Sequence, residues 1–195
     1  MSAPPQVVLL DSNAYFRLAQ SIHPLLGQIF GPPPPFSLFV LEVLDREFAS
    51  NRRLQNKFEW VNQKVYKEDR RRNTYEVKGS DWVAKVETAY SFFAGYVRMN
   101  KLSASPEDIR ALAIGRVKQF PVVSDDRDIR DLAAMFNVTC WWSLDLLKLM
   151  QNHSRIGRGE VIQTVEYWNE QNDLPRKKDD FRIQYKAVFG DDSPI

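Results

Sequence analysis

Acidic side chains in this chain of 195 residues fall at the points where buried strands are predicted to end. Asp11 directly follows one apolar run, and Glu42 directly follows another. Asp108 lies in the first turn of a predicted helix whose N terminus should open toward the same side. Because the carboxyl ends of parallel strands meet at one edge of a sheet, we expect these carboxylates to converge there. A third apolar run is followed by three more acids, Asp125, Asp126 and Asp128.

Converging carboxylates repel one another and raise each other's pKa unless a cation neutralises them. The chain has one cysteine, Cys140, and two histidines, which excludes a thiolate zinc cluster and a histidine-rich metal site. Any metal must therefore be held mainly by oxygen, as hard ions such as Mg²⁺ and Mn²⁺ are. Two such ions about 3.5–4 Å apart suit the hydrolysis of phosphodiester bonds.

Each acid also has a purely structural interpretation as part of a helix start. Asp108 can reach back to Ser105 as a capping box, and the acids that follow strands can cap helices or interact with helix dipoles. Asp11 resists this interpretation best, because Ser12 and Asn13 beside it are alternative cap residues. If each acid had only a structural role, all of these roles would have to occur independently at one edge of the sheet. The convergence of the acids therefore favours a metal site.

The elements that must position these acids alternate along the chain. Strand–helix alternation predicts an α/β fold in which a parallel sheet is covered by helices on both faces. The predicted strands are 7–10, 37–41, 121–124 and 138–141. The predicted helices include 12–27 and, in the C-terminal part, 160–171 and 179–189.

The middle of the chain is basic. Residues 51–101 contain 12 lysines and arginines against 6 acids, whereas the remainder contains 15 against 19. Basic surface suggests a polyanionic partner such as nucleic acid, and the charged segment 66–79 is predicted to be irregular and accessible. The arginines expected to contact a phosphate backbone are Arg52, Arg53, Arg70, Arg71 and Arg72.

The longest uncharged stretch, 18–41, contains two glycines and four consecutive prolines, which no membrane-spanning helix would carry. The N-terminal segment has no basic run and only a short apolar run before Asp11, so no secretory signal is expected. The expectation is a cytoplasmic protein that does not bind membranes.

Three motifs resemble those of the PIN-domain nuclease family. Residues 7–13, Val-Val-Leu-Leu-Asp-Ser-Asn, are similar to the family's opening strand motif. Residues 105–113 are similar to its central helix, and 122–129 to its next strand and acidic turn. The resemblance covers roughly half of the chain, 1–50 and 102–150. It implies a Rossmann-like three-layer α/β/α sandwich.

For the chain as a whole, the resemblance implies a single PIN-like domain over 1–195. Relative to a minimal family member, this domain carries a basic helical insert at about 51–101 and a C-terminal extension at about 151–195. Neither addition touches the acidic motifs, so they bear on the choice of substrate rather than on the presence of activity.

The resemblance further implies a Mg²⁺- or Mn²⁺-dependent ribonuclease that leaves 5′-phosphate and 3′-hydroxyl ends. By their positions in the motifs, Asp11, Asp108 and Asp126 match the family's metal-site acids. Asp128 matches an additional acid present in many members. Asp11, Asp108 and Asp126 are therefore the expected catalytic and metal-ligating residues, and Asp128 is expected to assist them as a further metal ligand.

The family's second acid lies early in the helix after the second strand, and here the match requires a slip of one residue. Glu42 is the first choice, with Asp45 and then Glu47 as alternates. Small polar residues at three further positions match those that orient the acids in the family. They are Ser12, Asn13 and Ser124.

Two other functions remain open. One is a structure-specific DNA nuclease of the flap-nuclease type, which a helical arch built from the basic insert would favour. The other is a catalytically idle PIN-like scaffold that binds RNA or a protein, against which the intact acids argue. Many bacterial family members are toxins held by an antitoxin, often as dimers, so the resemblance also implies an antitoxin partner and a homodimer.

Overall fold

The computed structural model describes residues 4–195, and a five-stranded sheet lies at its centre. The strands are β1 (Gln6–Leu10), β2 (Ile29–Phe30), β3 (Phe36–Val40), β4 (Val122–Val123) and β5 (Cys140–Trp141). Their order is β2-β3-β1-β4-β5, in which β3, β1, β4 and β5 run parallel and β2 pairs antiparallel with β3. The predicted parallel sheet is confirmed, and β2 is an additional edge strand.

Helices pack on both faces of this sheet. The α-helices before the centre of the chain are α1 (Ser12–Leu18), α2 (Val43–Ser50), α3 (Arg52–Lys57), α4 (Lys64–Arg72) and α5 (Ser80–Asn100). Those after it are α6 (Pro106–Lys118), α7 (Arg127–Met135), α8 (Ser143–Asn152), α9 (Arg158–Glu170) and α10 (Lys178–Phe189). A short 3-10 helix, Glu59–Asn62, precedes α4.

Strand β1 shows how the sheet separates two apolar cores. Successive side chains of a strand point to opposite faces. Val8 and Leu10 accordingly belong to the core beneath α1, α2, α8, α9 and α10, whereas Leu9 belongs to the core beneath α5, α6 and α7. The result is a three-layer α/β/α sandwich, which confirms the predicted fold class.

Two predicted elements differ from the structure. The first helix ends at Leu18 instead of continuing through residue 27. The segment 66–79, predicted to be irregular, begins inside α4. Lys64 and Arg72 each lie four residues from Glu68 and form ion pairs with it, at 3.8 Å in both cases. Such pairs support a helix even where most of its residues are charged.

The C-terminal helices confirm the prediction to within two residues at each end. They cover the sheet through buried side chains such as Val165, Trp168 and Phe181. The indole N–H of Trp168 donates to the backbone carbonyl of Arg17, at 2.7 Å, so α9 is tied to the helix that follows β1. None of the helices described for residues 4–195 is long and apolar enough to cross a membrane.

Candidate active site

Asp11 lies where β1 ends, and it caps α1. Its Oδ1 accepts a hydrogen bond from the backbone N–H of Ala14, at 2.6 Å. Its Oδ2 is buried and has no hydrogen-bond partner in the described part of the chain. The pKa of Asp11 is raised to about 7, mainly by burial; hydrogen bonds with Ser124 and the Ala14 amide reduce the rise, and the charges of Asp125 and Asp108 contribute a smaller part of it. A buried carboxylate oxygen without a partner is costly, and a bound cation would remove that cost.

Asp108 lies in the first turn of α6, beside Asp11. Its Oδ2 accepts from the Ser105 hydroxyl at 2.7 Å and from the Ser105 backbone N–H at 3.2 Å, which completes the capping box. Burial raises the pKa of Asp108, and the negative charges of Asp126 and Glu107 add to the rise. Asp11 and Asp108 line the same small cleft. Asp108 is therefore both a helix cap and a member of an acidic group.

Asp126 extends this group to the N terminus of α7. Its Oδ1 accepts from the backbone N–H of Ile129, at 3.1 Å, and its own N–H donates to the hydroxyl of the fully buried Ser124, at 3.2 Å. Ser124 is thus placed between Asp126 and Asp11, as an orienting residue would be. Asp11, Asp108 and Asp126 all cap helices, and the charge of Asp108 acts on Asp11 as that of Asp126 acts on Asp108. The structural and the chemical interpretations therefore apply to the same side chains.

For the second acid, the structure distinguishes among the alternatives. Glu42, the first choice, has a side chain that is 79% exposed and lies 3.9 Å from Arg46. Glu47 is half-buried, and its pKa is raised by burial and by the charge of Asp108, against the effect of a hydrogen bond from Ser12. Of the three candidates, the one whose side chain faces the group is therefore Glu47, the second alternate.

Helical spacing explains why Glu47 rather than Glu42 faces inward. Leu44 and Phe48 are the buried residues of α2, and Glu47 lies between them on the same face at the i+3 position. Glu42 precedes this helix and lies off its apolar stripe. Asp45 turns to the other side, where it pairs with Arg70 at 2.7 Å.

Three other residues have more peripheral or structural positions. Asp128 Oδ2 accepts from the backbone N–H of Ser103 at 2.8 Å, which ties the segment after α5 to α7. Asn13 is exposed. Asp125 is buried, pairs with Arg17 at 2.8 Å and accepts from both the N–H and the hydroxyl of Ser143. Asp125 therefore fastens α1 to the start of α8.

The donor chemistry of the group fits a hard cation. Its members offer carboxylate oxygens, as Mg²⁺ and Mn²⁺ require, and the unpartnered Oδ2 of Asp11 is already desolvated. Within residues 4–195, however, no three His, Cys, Asp or Glu side chains form a cluster that could hold a metal ion as they stand. The acids share one edge of the sheet, but they do not form a closed set of ligands.

One arginine of the basic insert was predicted to lie on the surface and is instead buried. Arg70 is only 2% exposed, and its guanidinium donates to Asp45 at 2.7 Å and to the Tyr15 hydroxyl and the Val61 carbonyl at 3.2 Å each. The prediction that Arg70 contacts phosphate is therefore wrong, because its donors are used inside the protein. The arginines that remain exposed are Arg52, Arg53, Arg71 and Arg72.

Replacing Arg70 with alanine should lower the free energy of unfolding by about 2–3 kcal/mol, because Tyr15 and Val61 lose a buried charged donor. Urea denaturation measures this. The control is Arg71→Ala on the same helix, which removes an exposed arginine and should change stability by no more than about 0.5 kcal/mol. Equal effects of the two substitutions would contradict the structural role of Arg70.

Comparisons with known proteins add little to this geometry. No family model matches the chain, and no curated protein matches it. Among solved structures, the chain is similar to the crystal structure of FitAcB from Neisseria gonorrhoeae, with a TM-score of 0.41 and 12% sequence identity. The match covers 69% of this chain and 96% of that chain. A similarity at this level does not assign the chain to a family.

Proposed function

We propose that this protein is a metal-dependent endoribonuclease whose acidic site lies at the carboxyl edge of the parallel sheet. The observation that carries the proposal is the carboxylate of Asp11. One of its oxygens is buried without a partner, its pKa is raised to about 7, and Asp108 lines the same cleft. A divalent cation would relieve both the desolvation of Asp11 and the repulsion between the acids.

The proposed ligands are Asp11, Asp108 and Asp126, with Glu47 in the place first assigned to Glu42. When bound, Mg²⁺ or Mn²⁺ supplies a Lewis acid that lowers the pKa of water and stabilises charge on a phosphodiester. The protein's own residues hold the acids for it. Asp11 is bonded to the Ala14 amide and Asp126 to the Ile129 amide, so the half-buried Glu47, which caps no helix, is the side chain that would turn inward.

Orienting residues support these ligands. The Ser124 hydroxyl accepts from the backbone N–H of Asp126 and lowers the pKa of Asp11. The Ser12 side chain hydrogen-bonds to Glu47 and lowers the pKa of that carboxyl. Asp128 acts through the backbone of Ser103 and thereby positions the start of α7. Asn13 remains a proposed orienting residue at the exposed rim of the site.

RNA is the proposed substrate, and the exposed arginines of the insert support a polyanion. An antitoxin partner, a homodimer and a cytoplasmic location remain predictions. The test is cleavage of mixed-sequence RNA and DNA oligonucleotides in Mg²⁺, in Mn²⁺ and in chelator. We expect RNA to be cleaved only with metal. Preferential cleavage of branched DNA would favour the flap-nuclease alternative, and binding without cleavage would favour the idle scaffold.

The choice between the two glutamates can be tested with matched substitutions. Glu47→Gln should reduce the cleavage rate by about tenfold to a hundredfold, because it removes a charge that faces Asp108. Glu42→Gln makes the same chemical change on an exposed side chain and should leave the rate within about twofold of the unmodified protein. The rates are compared at saturating Mn²⁺. The reverse order of effects would restore Glu42 as the second acid.

A further inference from the structure

An arginine–tryptophan stack lies beside the acidic group and takes no part in the function proposed above. The Cζ atom of Arg130 is 3.5 Å from the centre of the Trp142 ring, and that of Arg176 is 3.9 Å from the same centre. Two guanidinium groups so close to one ring centre would collide on one face. They must therefore cover opposite faces of Trp142, which is a cation–π arrangement on both sides.

The hydrogen-bonding capacity of this stack is largely unused. Within residues 4–195, neither Arg130 nor Arg176 has a carboxylate within ion-pair distance. The Nη1 of Arg130 is buried without a hydrogen-bond partner in this part of the chain. Burial lowers the pKa of Arg130, and the charges of Asp145 and Asp125, which oppose this, and of Arg176, which adds to it, have smaller effects. The two guanidinium groups thus lie on either side of one ring with hydrogen-bond donors that no side chain of the described residues fills, an arrangement that an anion would stabilise.

The stack lies at the same edge of the sheet as the acids. Arg130 follows Asp126 by one helical turn on α7, and Trp142 immediately follows β5. Strand β5 is separated from β1, which ends at Asp11, only by β4. With neighbouring strands about 4.8 Å apart, the two groups lie on the order of 10 Å from one another, a span that a short oligonucleotide can bridge.

Arg176 is held in place by the loop that carries it. This loop joins α9 to α10, and its Asp173 pairs with Lys57 at 2.6 Å and with Arg17 at 3.4 Å. Arg176 itself is exposed. The C-terminal extension therefore brings a cation to the edge of the sheet from a distant part of the sequence.

We propose that Arg130 and Arg176, held apart by Trp142, bind a phosphate of the RNA strand next to the one at the acidic group. The inference rests on the proposed function for the identity of the anion. Guanidinium groups recognise phosphate through directed N–H donors, and they attract the strand to an edge whose carboxylates repel it. Because both ring faces of Trp142 are covered, the contact is to the backbone and not to a base, so it should not depend on sequence.

The test measures the binding of single-stranded RNA oligonucleotides of unrelated sequence to the full chain in chelator. Fluorescence anisotropy gives the affinity at several salt concentrations. Arg176→Ala should weaken binding roughly tenfold for every sequence. It should also reduce the slope of log affinity against log salt by about 0.7. The matched control is Arg116→Ala, which removes an exposed arginine on α6, about 12 Å along the helix axis from Asp108.

Arg130→Ala tests the half-buried member of the stack, with thermal melting to check that the variant folds. If Arg176→Ala and Arg116→Ala bind RNA equally well and with the same salt slope, the stack is only a packing feature and the inference fails. Because chelator prevents metal-dependent cleavage, this result is separate from the activity. Loss of binding in a protein that never cleaves RNA would sustain the phosphate site and contradict the proposed function.

Discussion

In metal-free buffer, the free energy of unfolding should fall as the pH rises from about 4 to about 7, and Asp11→Asn should remove most of this fall. The pKa of Asp11 is about 7 in the folded protein, against an ordinary value of 3.8. Between these values the folded state binds more protons than the unfolded state, so stability is present at low pH and is lost as the pH rises. The shift corresponds to at most about 4 kcal/mol at pH 8.

The substitution suits this test because asparagine keeps the shape of the side chain and can still accept from the Ala14 amide. Urea denaturation at pH 4 and pH 8 measures the difference. Asp131→Asn, which changes an exposed carboxylate on α7, serves as the control and should retain the pH dependence of the unmodified protein. A variant at Asp11 that is less stable than the unmodified protein at pH 8 would contradict the desolvated, charged carboxylate described here.

Asp108→Asn and Asp126→Asn should each reduce metal-dependent RNA cleavage by at least about a hundredfold, while stability changes by no more than about 1 kcal/mol. Both acids cap helices, and asparagine is an effective cap at Asp126. At Asp108 the loss of charge at a helix N terminus is offset by weaker repulsion from Asp126. If these acids acted only as helix caps, both substitutions would leave the rate of RNA cleavage unchanged.

Glu160→Gln provides the comparison for these two variants. Glu160 Oε2 accepts from the backbone N–H of Gly157 at 2.8 Å, which is the bond that Asp108 makes to the backbone N–H of Ser105, here at the start of α9. It is exposed and stands outside the acidic group. Initial cleavage rates and thermal melting of all three variants distinguish a role in helix capping from a role in metal binding. Similar losses of activity in all three would sink the assignment of Asp108 and Asp126 as ligands.

The strands and the acids after them could be predicted from sequence because both signals are local. Buried parallel strands are short apolar runs, and the motif acids follow them directly, as Asp11 follows β1. The edge strand β2 could not be predicted in this way. It has two residues and exists only because it pairs with β3, which is a tertiary interaction.

The directions in which the side chains of the site point could not be predicted from the sequence. Glu42 and Glu47 are both plausible from their distance to β3, and only the rotation of α2, set by the packing of Leu44 and Phe48, turns Glu47 toward Asp108. The prediction that Arg70 is exposed failed for a related reason. Three consecutive arginines on a helix point in different directions, and the one that meets Asp45 and Tyr15 is buried.

The stack on Trp142 could not be found from sequence because its members come from three separate segments. Arg130 lies on α7, Trp142 lies before α8, and Arg176 lies in the loop after α9. No spacing rule connects residues that meet only when the C-terminal helices pack on the sheet. A local pattern can locate the acidic edge of the sheet, but it cannot show which positively charged side chains lie beside it.

The most direct test of the acidic site is cleavage of an end-labelled RNA by the unmodified protein and by Asp11→Asn, each with Mn²⁺ and with excess chelator. We expect the unmodified protein to cleave with Mn²⁺ and not with chelator. We expect Asp11→Asn to be inactive in both, because the buried oxygen at the centre of the group has lost its charge. Equal cleavage by the two purified proteins, or cleavage that persists in chelator, would contradict a metal-dependent ribonuclease built on Asp11.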